Sequence, residues 1–318
     1  MPKKRIITLC LPAVLAAFLL FAASCSEDKS STEPEGSSIV ELSLSGLEPL
    51  EGGLNYQAWV IEYYNGYLYG YPLVIFNLNE AGAMIDVSGD SLLSGEFTID
   101  LAAEDIYGIV VSIELSDVVV TSSSYTQILG GEVSDGEAAL TTDSWLGMDF
   151  SFENLAGRYV LATPTDSISS NEKSGIWFMD LSTGVSLNGL VLPDLSAGWE
   201  YEGWVILDST YISTGKFTSA LSADDMNQYS GAWSNPSFPG EDFLQNAPAG
   251  VSFPTDLAGA SVLITIEPEG SYDVDLDKPF PLRLLVANIP SDATPHTTYY
   301  MNAVNDTRPG GTATIKQQ

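Results

Sequence analysis

The sequence predicts an all-β protein: two tandem β-sandwich domains, immunoglobulin-like or related, following a cleaved leader and a flexible tether. Three observations predict it. Past the leader, apolar residues rarely recur at helical spacing. Short runs rich in Val, Ile, Tyr, Phe and Trp are instead separated by Gly, Asn, Asp, Ser and Pro, as strands bounded by turns are. A tryptophan-centred strand is present twice, as Tyr56-Gln-Ala-Trp59-Val-Ile61 and Tyr201-Glu-Gly-Trp204-Val-Ile206, 145 positions apart. A period that long marks a duplicated domain, because solenoid units run to about 20–50 residues. Finally, Asn65-Gly66 lies between two aromatic runs, the pattern of a two-residue hairpin whose type I′ turn needs positive φ at both positions.

Residues 1–24 read as a signal peptide. Lys3, Lys4 and Arg5 precede an apolar stretch from Ile6 to Phe21 that is too short and wrongly flanked for a lasting membrane span. Ala22-Ala23-Ser24-Cys25 resembles the bacterial lipobox, with alanine where leucine is commoner. That resemblance implies cleavage before Cys25, its diacylation, and stable anchoring by several acyl chains. Ser26, rather than aspartate, follows Cys25, which by the usual bacterial sorting pattern implies delivery to the outer membrane. An ordinary secreted signal peptide with an incidental cysteine is the alternative. Residues 25–38, rich in Ser, Glu, Asp and Lys, read as a tether.

The first domain is expected over 39–157, with strands at 40–44, 55–64, 67–76, 108–114, 126–132 and 137–141. The second, over 158–318, repeats the pattern. The alternation of Ile109, Val111 and Ile113 is answered by Val262, Ile264 and Ile266, and each copy closes with a similar strand, at 158–161 and 312–315. The second copy adds a strand at 176–180 and a long segment, 223–254, that carries Tyr229, Trp233, Phe238 and Phe243. A loop of that length is usually functional or disordered.

Charge narrows the partners. The chain has 11 Lys+Arg against 42 Asp+Glu, net −31, and three of the cations lie in the leader. Such a surface repels phosphate backbones, so nucleic acid is not expected as a partner. Cys10 lies in the leader and Cys25 is the lipidation candidate, so neither disulfide nor thiol chemistry is expected in the mature fold.

Tyr201-Glu-Gly-Trp204-Val-Ile206, then Ser213-Thr-Gly215-Lys-Phe217, then Ile264-Thr-Ile-Glu267-Pro268, is similar to the extracytoplasmic C-terminal domain of anti-sigma-K-type factors, which carries these elements in this order. The first copy keeps Trp59 and Glu114 but has Leu115 where proline is expected. The resemblance implies a β-sandwich sensing or interaction domain outside the cytoplasmic membrane. The chain lacks the family's cytoplasmic helical domain, a zinc-type His/Cys cluster and a retained membrane helix, so it is expected not to act as an anti-sigma factor by itself.

Several patterns carry candidate chemistry. Gly89-Asp90-Ser91-Leu92 spells the GDSL esterase signature, but the serine needs an imidazole base, and the chain's one histidine, His296, stands in Asp292-Ala-Thr-Pro-His296, one residue longer than that family's spacing. A polar turn is the alternative. Asp273, Asp275 and Asp277 fall on one side of an extended segment, a pattern that suits Ca²⁺, although the EF-hand glycine and terminal glutamate are missing. Glu114 and Glu267 hold equivalent places at strand ends. They serve either as paired carboxylates for glycoside hydrolysis or as acceptors for neighbouring loop backbone. Trp59 and Trp204 read as core. Tyr67, Tyr69 and Tyr71 share one strand face, available to stack on a sugar or partner, or to pair across the hairpin. The aromatic segment Tyr229, Trp233, Phe238 and Phe243 is the preferred binding candidate.

The expectation is therefore a non-catalytic, lipid-anchored outer-membrane protein that acts as an interaction or sensing module. Its partner would be an envelope protein or a glycan. A carbohydrate- or Ca²⁺-binding module is the alternative.

Overall fold

The structure, a computed structural model, describes residues 36–92, 94–115, 126–304 and 308–318. The signal peptide, Cys25 and most of the tether lie outside them. The described residues belong to one compact unit.

The fold is all-β, as the alternating apolar pattern requires. In chain order the strands of the first half are β1 (Ser38–Ser45), β2 (Leu54–Tyr64), β3 (Tyr67–Leu78), β4 (Met84–Ile85), β5 (Glu96–Ile99), β6 (Ile106–Leu115), β7 (Gln127–Glu132) and β8 (Glu137–Thr141). There follow β9 (Ala156–Leu161), β10 (Gly175–Trp177), β11 (Met179–Asp180), β12 (Leu187–Asn188), β13 (Leu190–Val191), β14 (Trp199–Leu207), β15 (Thr210–Phe217), β16 (Gly240–Asp242), β17 (Ser261–Pro268), β18 (Leu282–Asn288), β19 (Tyr299–Ala303) and β20 (Gly310–Gln317). Two single 3₁₀ turns, Ala103–Asp105 and Gly270–Tyr272, are the only helical elements among the described residues.

Two large antiparallel sheets, consistent with a β-sandwich, account for nearly all of these strands. One runs β4-β3-β2-β6-β7-β8-β20-β1-β5, and the other β15-β14-β17-β18-β19-β9-β10-β16. Aligned on the tryptophan strands, they match strand for strand: β3-β2-β6-β7-β8 corresponds to β15-β14-β17-β18-β19, and β20-β1-β5 to β9-β10-β16. Even the irregularities repeat. The ladder slips between Ala58 and Trp59 and between Gly203 and Trp204, and again between Val111 and Ser112 and between Ile264 and Thr265. This last slip sets Gln127 opposite Arg283 in the alignment of the copies, so Leu129 answers Leu285.

The sheets are not coextensive with the halves of the sequence. β20, from the chain's end, is inserted between β8 and β1 and pairs with β1 over eight residues, from Ser38↔Gln317 to Ser45↔Gly310. β9, its counterpart, pairs with β19 and β10 in the second sheet.

The sheets share one continuous apolar core. Val40, Tyr56, Ala58, Val60 and Ile113 from the first pack in the same cluster as Tyr201, Val205, Ile264 and Leu285 from the second. Each core tyrosine turns its hydroxyl to a carbonyl eight residues upstream, Tyr56 to Glu48 at 2.8 Å and Tyr201 to Pro193 at 2.5 Å. The copies differ at Ala58 and Gly203: a Cβ on Gly203 would stand 2.2 Å from Thr214 Oγ1 and 2.7 Å from the Phe178 ring.

Candidate functional site

The duplicated tryptophans face away from the common core, and each anchors a polar relay. Trp59 Nε1 donates to Ser112 Oγ at 2.8 Å, and Ser112 Oγ donates to Glu114 Oε1 at 2.6 Å. In the second copy Trp204 Nε1 donates to Thr265 Oγ1 at 3.0 Å, and Thr265 donates to Glu267. The Phe280 N–H reaches both oxygens of Glu267, at 3.0 and 3.1 Å, so this carboxyl accepts from loop backbone. All six side chains are buried. Buried polar groups must find partners, and these relays supply them. Each sheet owns one glutamate, at a strand end and sealed from solvent, an arrangement that holds a strand rather than flanking a glycosidic bond.

Around this shared relay the second copy accumulates charge. Glu202 stands where the first copy has Gln57, and burial pushes its carboxyl up to about 8 against the opposing hydrogen bond from Ser213. Glu267 beside it is raised for the same reason. Lys216 reaches Glu200 at 2.6 Å and Asp273 at 2.5 Å. Burial alone would lower its pKa, but the two carboxylates outweigh burial and raise it. The three aspartates singled out in the sequence therefore diverge. Asp273 pairs with Lys216, Asp275 faces Lys278 at 3.5 Å, and Asp277 is exposed. Among the described residues no three potential metal ligands converge on a point.

The aromatic segment 223–254 turns mostly inward. Phe243 is fully buried, its ring tilted against Tyr229 and Phe253 at 5.9 and 5.3 Å, and Phe238 packs with Val160 and Trp177. Trp233 alone of the four is open to solvent, at 57 % exposure. Buried acids pin the segment. Asp242 accepts from Trp177 Nε1 at 2.7 Å and from Thr165, Glu241 accepts from Ser230, and Asp224 accepts from the Gly240 N–H at 2.7 Å. Burial lifts Glu241 to about 7 and Asp242 and Asp224 to about 6. Prolines and glycines had hidden β16, which binds this segment to β10.

Ser91 and His296 do not meet as a catalytic pair. Ser91 bridges Ile85 at the β4 edge of the first sheet, whereas His296 Nε2 faces Glu172 Oε2 at 3.3 Å in the second half.

The accessible aromatic surface is the β2–β3 hairpin. Asn65 and Gly66 both adopt positive φ, 53° and 86°, and Tyr64 pairs with Tyr67 across the turn. The ribbon outruns the core, leaving Tyr63, Tyr64, Tyr67, Tyr69 and Tyr71 exposed at 58, 58, 69, 44 and 38 %. Tyr67, Tyr69 and Tyr71 share one face, where the Tyr71 hydroxyl donates to Glu62 at 2.6 Å. On the other face Tyr63 meets Tyr107 at 5.7 Å and Tyr107 meets Trp145 at 6.3 Å. Tyr107 and Trp145 both donate to Glu132, at 2.6 and 2.7 Å. Sequence reading had no signal for Tyr107 or Trp145, since only the fold brings them beside the hairpin. In the second copy the same ribbon stops at Leu207↔Thr210. No protein-family model matches this chain, and neither does any curated protein or solved structure.

Proposed function

We propose that this chain is a non-catalytic interaction module of the bacterial cell envelope, lipid-anchored to the outer membrane through Cys25, and that its contact surface is the tyrosine hairpin of β2 and β3. One observation carries the reading: five tyrosines stand exposed on the hairpin, Tyr63, Tyr64 and Tyr67 on the tip that the second copy omits and Tyr69 and Tyr71 where it has Thr210 and Ile212. Exposed aromatic clusters favour contact surfaces, because tyrosine brings large area at small entropic cost and a hydroxyl that tolerates water. The absence of catalysis is supported by the candidate reactive groups: Ser91 and His296 are apart, and Glu114 and Glu267 are engaged in structural relays. The similarity to extracytoplasmic anti-sigma domains and the lipobox-like leader support an envelope location.

A photo-crosslinking amino acid at Tyr69, expressed in cells, is expected to give a discrete adduct. The same group at Tyr300, 66 % exposed on β19, is expected to give none. Equal yields at the two positions, or none at Tyr69, would overturn the reading. Palmitate labelling that survives in Cys25→Ser would remove the anchor. A glycan-binding reading draws on Trp233, the exposed ring of the 223–254 segment; it predicts that glycan affinity falls in Trp233→Ala.

A further inference from the structure

β3 is nearly an edge. β4 covers it only at Asn77 and Leu78, and among the described residues no strand pairs with the stretch Tyr67–Phe76 on the side away from β2. A two-residue turn closes on a hydrogen-bonded pair. Tyr67, Tyr69 and Tyr71 therefore turn their backbone groups toward β2, and Leu68, Gly70 and Pro72 turn theirs outward. Pro72 has no N–H to offer, so the run of open donors that starts at the turn is interrupted there, before Ile75, as edge protection commonly does. The usable edge is the tyrosine half of the hairpin, about 17 Å long at roughly 3.4 Å per residue.

Charge selects the occupant. From Ser30 to Gly157 the sequence contains no Lys, Arg or His, while Glu62, Glu104, Asp105 and Glu132 surround the base of the hairpin. Another copy of this chain would bring its own net charge of −31 to the same edge, which opposes edge-to-edge pairing. A basic segment meets the carboxylates and places its cations against tyrosine faces. We propose that the hairpin binds an extended, basic segment of a partner protein by strand addition along Tyr67–Tyr71, with main-chain hydrogen bonds to Leu68 and Gly70 and cationic side chains over the tyrosines. This rests on the reading of the hairpin as the contact surface and names its ligand.

The probe is a fluorescein-labelled peptide of alternating lysine and valine, nine residues long, titrated into the full chain and followed by anisotropy. Its analogue, N-methylated at every backbone amide, has the same charge and side chains but no main-chain donors. The parent is expected to bind at least about tenfold tighter than the analogue, the equivalent of one or two lost hydrogen bonds. Leu68→Pro removes an outward N–H that the peptide's carbonyls accept from and is expected to weaken the parent severalfold while the thermal transition stays in place; should that variant not fold, the two peptides on the natural chain still decide. Equal binding of both peptides overturns strand addition, since charge attraction alone explains it. Absence of peptide binding while the Tyr69 crosslink persists overturns strand addition and spares the hairpin reading; loss of both overturns both. A concentration-dependent dimer abolished by Leu68→Pro, or an uncharged glucan oligosaccharide that binds where the peptide does not, also overturns the proposal.

Discussion

At Glu62 and its counterpart Leu207 the two copies part company. Up to that point the ribbons agree residue by residue, through the buried tryptophan, the ladder slip beside it and the hydroxyl–glutamate relay beneath it. Beyond it the second copy turns at once through Asp208 and Ser209. The first continues through Tyr63, Tyr64, Asn65, Gly66, Tyr67 and Leu68 before returning. The shared tryptophan relays are buried and hydrogen-bonded, and so serve stability. The unshared ribbon in the first copy is exposed aromatic surface. The second copy's differences lie in its interior: Glu202 for Gln57, the Lys216 cluster, and the buried acids under the 223–254 segment.

The strongest challenge to this comparison is to end the chain after Val304. The first sheet would lose β20 from between β8 and β1, including the buried Ala313 and Ile315, while the second keeps all its strands. We expect no cooperative thermal transition for the first sheet. A wild-type transition in this truncation would show that β20 is dispensable.

The pH response should separate the copies next. Glu202 is held at about 8 instead of the ordinary 4.5, and Glu241, Asp242 and Asp224 at about 7, 6 and 6. Each binds its proton more tightly folded than unfolded, so the stability it contributes is complete below the unfolded value and is lost as pH rises through 6–8. The melting temperature should therefore fall between pH 5 and pH 8.5. Glu202→Gln, which gives the second copy the first copy's residue, should flatten this slope by up to about 1.4 kcal/mol per pH unit. A slope unchanged in Glu202→Gln would show that Glu202 is not the buried proton acceptor described.

Trp59→Phe and Trp204→Phe each remove one indole donor from a relay. Each should cost about 1–3 kcal/mol by urea titration, similarly in both copies. A large cost at one and none at the other would break the equivalence of the relays. The smallest effect is expected at the rim. Tyr67→Ser with Tyr69→Ser should alter stability by no more than about 0.5 kcal/mol, because both rings are exposed, while abolishing the peptide affinity. A larger destabilisation would mean that the hairpin serves the fold instead.

Much of this architecture was legible in the sequence, because the signals were local. Alternating Ile109, Val111 and Ile113 define β6, Asn65-Gly66 defines the turn, and the repeated Tyr–Trp spacing aligns β2 with β14. What escaped was non-local. Nothing near Thr312 says that its strand pairs with Ser43, about 270 positions earlier. Nothing near Tyr107 announces Trp145. Within 223–254, which reads as a long loop of the functional or disordered kind, Asp224, Glu241 and Asp242 are the groups that bind the segment down, leaving Phe243 inside. The site was half visible. The tyrosine run stands out in the sequence, yet only burial elsewhere distinguishes it from the other aromatic run.

The insertion of β20 also sets an order of events. β1 leaves the ribosome well before its neighbour β20, a gap of roughly 15–50 s at about 5–20 residues per second. Through that interval the first copy has open strand edges at β8 and β1, and the acidic stretch without a single Lys, Arg or His sets like charge against like there, which opposes pairing between copies. β20 thus acts as a keystone: the sheet that carries the tyrosines has a continuous ladder only once this late strand has joined β8 to β1.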